Sequence, residues 1–221
     1  MSTRYSDALQ AAETSARLRA AMAAGTQVPA GVELVEALVV RCGVEPDFFV
    51  RDMLTWALVQ LPAELTVPRV VAELRSGNAQ ARSQALHTLS KIGDPATWSA
   101  ITVELLHDAD DEVARTAWRT AVGLVPYGEE EQLAGELVTE LGRGTRDVQL
   151  SLSRALVALG TAAEGPLTSA LSSARPEVRA HARATEQLLR NPGADLGTAL
   201  DEARRAVALG PQQVRDRRAH R

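Results

Sequence analysis

Five stretches of this chain repeat one another, and that self-similarity restricts its fold more than any other feature. The segments are 47–61, 78–93, 111–124, 146–160 and 176–189. They align on Arg51, Arg82, Ala114, Gln149 and Arg179. Three residues on stand Leu54, Ala85, Ala117, Leu152 and Ala182. Seven on stand Leu58, Leu89, Ala121 and Leu156, with Glu186 as the exception, and ten on stand Leu61, Ile92, Leu124, Leu159 and Leu189. Offsets of three, seven and ten mark one face of an α-helix. The anchors lie 31, 32, 35 and 30 residues apart. Such a chain must stack its units, because one short helical pair cannot bury its apolar stripe alone.

Each repeated segment opens with helix-start chemistry: Asp47, Asn78, Asp110 or Asp111, Thr145, and the Arg175-Pro176 step. Each then meets a break at Pro62, Gly93-Asp94-Pro95, Pro126-Tyr127-Gly128, Gly160 or Asn191-Pro192-Gly193. A second helix, B, is expected after each first helix, A. The B segments are 64–76, 95–107, 129–142 and 163–173, with apolar rows such as Val67, Val70 and Leu74, then Trp98, Ile101 and Leu105, then Leu133, Leu137 and Leu141. A helix near 6–23 and another over 31–42 form a first pair, and 195–210 closes the series. The reading is an all-α fold, an α-solenoid of about six stacked helical hairpins in one domain over 1–210. Residues 1–44 are its N-terminal cap hairpin, 45–175 the central repeats and 176–210 the C-terminal repeat and cap, with 211–221 a flexible basic tail.

Val50-Arg51 and Val178-Arg179 in helix A, the Gly93-Asp94-Pro95 elbow, and Val67-Pro68 and Gly165-Pro166 in helix B carry a family likeness. Over roughly residues 30–190 the sequence resembles the HEAT repeat in its short bacterial form. The resemblance implies a protein-binding scaffold, with helix A on the convex side and helix B on the concave side. It names no partner, because this fold serves many. The third unit departs from the pattern, with Val113-Ala114-Arg115 and a longer elbow.

Some HEAT-like proteins are enzymes, so catalytic chemistry must be sought. The four histidines, His87, His107, His181 and His220, include no His-Glu pair of the kind that binds iron in HEAT-like hydroxylases. A metal site needs several ligands converging on one point, and these do not. An alkylpurine DNA glycosylase of the HEAT-like type would need a basic face bearing aromatics. Trp56, Trp98 and Trp118 are available, but Trp98 falls on a core position and Trp118 beside one, and packing is the expected role of each. The net charge of −4 also opposes a phosphate backbone. Cys42, the single cysteine, has no neighbouring His or Lys to make it a nucleophile. No catalytic residue, metal or cofactor is therefore expected. The alternatives to a scaffold are a DNA-binding or DNA-repair protein of the glycosylase type and a lyase- or chaperone-like subunit acting on a client protein.

One pattern points to a partner. Glu73, Glu104 and Glu140 each precede the late leucine of a B helix. Stacked helices lie about 8–10 Å apart, so these glutamates are expected to form an acidic ridge that attracts a basic protein segment. The anchor arginines are expected to pair with acidic helix starts of neighbouring units. No stretch has the length and apolarity of a membrane span, and the lone cysteine suits a reducing cytoplasm. The expectation is a cytoplasmic adaptor for a protein partner, with nucleic acid and membrane disfavoured.

Overall fold

The computed structural model describes residues 7–27, 29, 31–191 and 197–207. Its helices are α1 (Thr14–Gly25), α2 (Val32–Cys42), α3 (Phe48–Gln60), α4 (Ala63–Glu73), α5 (Ala79–Ile92), α6 (Val103–Leu106), α7 (Asp111–Leu124), α8 (Glu130–Val138), α9 (Arg146–Ala158), α10 (Glu164–Ala170) and α11 (Pro176–Arg190). Two 3₁₀ turns, Pro95–Ala100 and Gly160–Ala163, precede α6 and α10. Residues 197–207 are also helical, and no strand occurs among the described residues. The chain is an all-α helical repeat. The basic tail 211–221 and His220 lie outside the described residues.

The repeated offsets are the core. Leu54, Ala85, Ala117, Leu152 and Ala182 are all buried, as are Leu58, Leu89, Ala121 and Leu156. Leu61, Leu124 and Leu159 are buried at the tenth offset, where Ile92 and Leu189 are half-buried. Three A helices begin where capping oxygens stand, whereas Thr145 makes no capping bond at the start of α9. Asp47 accepts from the Val50 N–H, Asn78 from Gln80, and Asp110 from Glu112 and Val113.

By their contacts the residues gather into two compact units, Met1–Leu124 and Val125–Arg221. The sequence joined 1–210 in one domain; the division falls in the elbow where the repeat spacing lengthens to 35 residues. In the first unit α1, α3, α5 and α7 stack in serial order, while α2 lies on α3, α4 on α5 and α6 on α7. Each B helix thus packs chiefly on the A helix that follows it. Small hydroxylated residues let the A helices approach closely. Ser83 bonds Thr116, and Thr120 donates to the Leu86 carbonyl. In the second unit α9 packs on α11 and α8 on α10. Helix 197–207 places Ala199, Leu200 and Ala203 against Ala180 and Ala184 of α11.

Three expectations need correction. The first helix does not run through 6–23. Residues 7–9 are helical, the path breaks over 10–13, and α1 starts at Thr14. The buried Arg17 takes the Ala11 and Ala12 carbonyls at 3.0 and 2.7 Å and holds that break in place. The B segment 95–107 is not one helix. A 3₁₀ turn ends at Ile101–Thr102, where the backbone is extended, and only the four residues of α6 follow. A 3₁₀ turn also brings residues three apart into line, so the pattern of Trp98 and Ile101 fits either form.

Among the described residues, Arg82 alone of the anchor arginines makes the expected pair with an acidic residue at the start of the next unit; the anchors chiefly bind turn carbonyls. Arg51 Nη1 donates to the Glu45 and Pro46 carbonyls, and Arg179 Nη1 to those of Ser173 and Ala174. Gln149 reaches the carbonyls of Gly142 and Gly144. Each of these side chains clamps the turn that delivers the chain to its own helix. Arg82 does this at the Ser76 carbonyl and also pairs with Asp108 at 2.8 and 3.0 Å. Asp108 lies in the turn before α7, whose anchor is Ala114 and has no polar group to offer.

Candidate partner-binding surface

The three ridge glutamates occupy different settings. Glu73, the last residue of α4, is half-buried and bonds Arg69 Nη1 at 2.7 Å. Arg69 also forms a two-pronged pair with Glu36 of α2, which holds the Glu36 carboxyl below the usual carboxylate range. Glu104 is exposed in the first turn of α6. Hydrogen bonds from the Thr102 hydroxyl and from its own N–H lower its pKa. It borders a furrow of about 360 Å³ with Val71, Arg75 and Asp108. Glu140 lies in the turn after α8, where it pairs with Arg143 at 2.8 Å. Two of the three are therefore held in local ion pairs.

Sequence reasoning missed a different feature. Met22, Val32, Val40, Val44, Phe48, Phe49 and Trp56 are large apolar side chains left exposed. They fall within 35 residues of one another in sequence. Among the described residues only Val103 and Tyr127 are exposed in the same way elsewhere. Phe49 keeps 71% of its surface in solvent and packs edge-on to Phe48 at 5.6 Å. Helix α2 buries Leu34, Val35, Leu38, Val39 and Cys42 against the unit, yet shows Val32 and Val40 to solvent. Those valines, with Val44, Leu9, Ala37 and the acids Glu33 and Glu36, line a groove of about 650 Å³.

A buried ionic hub fixes this surface. The Glu45 carboxylate, wholly buried in the turn from α2 to α3, accepts from Arg17 Nε and Nη2 at 2.8 and 2.9 Å. It also accepts from Arg41 Nε at 2.7 Å and from the Asp47 N–H at 3.0 Å. Burial pushes its pKa up, but the Arg17, Asp47 and Arg41 hydrogen bonds outweigh that and hold it at about 2. Gln80 Nε2 takes the Cys42 and Glu45 carbonyls, and Asn78 Nδ2 takes that of Gly43. The turn carrying Val44 and leading to Phe48 is thus tied to α1, α3 and the start of α5.

The remaining reactive groups sit in structural settings. Cys42 is buried, and desolvation pushes its thiol up to about 12, so it holds no thiolate at neutral pH. His181 is buried in α11, and its Nδ1 accepts from the Gly142 N–H at 3.0 Å. Its Nε2 therefore carries the proton, 3.0 Å from the Gln149 carbonyl and 2.9 Å from Ser153 Oγ. Burial lowers its pKa to about 4. Trp118 is wholly buried and donates to the Leu106 carbonyl at 2.8 Å, Trp98 is half-buried, and Trp56 lies beside Gly25. Among the described residues no three His, Cys, Asp or Glu side chains gather as a metal site, and no helix is long and apolar enough to cross a membrane.

No protein-family model matches the chain, and no curated protein matches it. Solved structures do. One engineered protein is 21% identical at a TM-score of 0.46, over 87% of this chain and 97% of its own. A second engineered protein is 16% identical at 0.46, over 86% and 98%. A designed armadillo repeat protein is 17% identical at 0.43, over 86% and 100%. Likeness at this level carries no functional argument, and the fold rests on the chain's own helices and contacts.

Proposed function

We propose that this chain is a HEAT-like scaffold whose work is to hold a partner protein, with no reaction of its own. The carrying observation is the set of exposed apolar side chains between Met22 and Trp56, borne by α1, α2, α3 and the α2–α3 turn that buried hydrogen bonds lock. Exposed apolar side chains on a rigid frame suit a protein interface, because little ordering is left to oppose binding. Glu73, Glu104 and Glu140, each on or just after a B helix, favour a partner bearing a basic segment. Net charge gives the same direction and works against a nucleic-acid ligand.

The test is isolation of the protein from its own cells, followed by reassembly of the complex from purified components. A protein partner binding at a fixed ratio is the expected result, weakened when Glu73, Glu104 and Glu140 are all changed to Lys. Retention of duplex DNA at moderate salt, with no protein complex recovered, would overturn the reading.

A further inference from the structure

We infer that the groove on α2 receives an amphipathic helix of a partner protein, of about three turns, with basic residues flanking its apolar stripe. This rests on the scaffold reading and names the kind of partner that one surface fits.

The argument starts from α2 itself. Its inward face is spent on α3, α4 and α5. In a stacked repeat an interior B helix is covered on both flanks by neighbouring units. Helix α2 belongs to the first pair, and the flank left open carries Val32, Ala37 and Val40, continued by Val44. That flank mixes apolar and acidic residues, and a flank of this kind takes an amphipathic helix. The flanks of the other B helices in this unit are met by helices, so a helix is the shape that fits this open one. From Val32 to Val44 the groove runs for about 18 Å, which is the length of about 12 helical residues.

Charge selects the occupant. Glu33 and Glu36 are exposed on the groove rim. Glu36 shares Arg69 with Glu73, so that trio keeps a net negative charge. Arg41 also lines the groove, but its guanidinium is drawn to the buried Glu45 at 2.5 Å. Asp7 and Glu13, both exposed, flank the Leu9 segment in sequence. A second copy of this chain would set Glu33 and Glu36 against the same pair, and like charges across an interface oppose it. Lysine or arginine beside an apolar stripe answers both the floor and the rim.

The test uses the full chain and three synthetic peptides of about 16 residues. One is a Leu/Lys amphipathic helix, one its Leu/Glu counterpart, and one the Lys peptide with Ser in place of Leu. Fluorescence anisotropy should show the Leu/Lys peptide binding at least about tenfold tighter than the other two. Amide shifts should cluster on Val32–Val44. Val40→Asp, at a position 52% exposed, should leave the circular dichroism unchanged and weaken binding by about tenfold or more. Changing Glu33 and Glu36 to Lys should turn the preference toward the Leu/Glu peptide.

Equal binding of the three peptides, or binding indifferent to Val40→Asp, would overturn the inference. So would self-association abolished by Val40→Asp, which would seat a second copy in the groove. A native protein complex that survives Val40→Asp removes this inference and leaves the scaffold reading standing. Absence of any native protein complex removes the scaffold reading instead.

Discussion

Glu45 shows how one side chain organises the first unit. It is a charge in a turn, wholly buried, and its partners Arg17 and Arg41 come from two different helices. Breaking such a group by removing its charge leaves the partner cations uncompensated. Glu45→Gln should cost about 3–5 kcal/mol in the urea unfolding of the first unit; a loss under about 1 kcal/mol would show the hub to be dispensable. The same group sets an acid limit. Its carboxyl titrates at about 2 in the fold against an ordinary 4.5. The stability it gives is whole above 4.5 and drains as pH falls toward 2. Nothing in the local sequence announces this. Glu45-Pro46-Asp47 reads as a turn, and turn carboxylates are usually solvated. Its burial is decided by Arg17, 28 residues away.

At the scale of elements, the A helices were legible and the B helices only partly so. Their difference is length. The described A helices run for 12 to 15 residues, long enough for three apolar offsets to repeat. Helices α6 and α10 have four and seven residues after a 3₁₀ turn, and so short a period fits more than one conformation. The anchors were visible as a conspicuous position, and Arg82 has its expected acidic partner in Asp108, but the clamped carbonyls were not foreseen, because a sequence shows charge before it shows carbonyl groups. As clamps they predict a local effect. Arg179→Ala should cost about 1–3 kcal/mol and speed amide exchange in the turn 172–175. The exposed Arg183→Ala on the same helix should stay within about 0.5 kcal/mol of the parent. Equal effects from the two would deny the clamp.

For the whole molecule, the repeat and its core could be read from spacing, while the exposed apolar surface could not. Val32, Val40 and Val44 look like core residues in any periodic count. They stand exposed because no described helix covers that flank of α2, a fact of packing and not of pattern. The division into two units has a consequence that acid can read. His181 is held neutral in the second unit, with a pKa of about 4 against an ordinary 6.5 and Arg204 further opposing its charge. A histidine kept neutral by the fold gives stability that is whole above 6.5 and lost as pH falls through 4, amounting to about 3 kcal/mol. The Glu45 contribution to the first unit lasts to lower pH, since it is lost only between 4.5 and 2. All three tryptophans, Trp56, Trp98 and Trp118, belong to the first unit. Tryptophan emission therefore reports that unit, and far-ultraviolet circular dichroism reports both. On acidification in a fixed concentration of urea, the helical signal should begin to fall while the emission stays native, and the emission should change only at lower pH. Coincident curves would mean that the two units unfold as one, and the separate acid limits assigned to His181 and Glu45 would not hold.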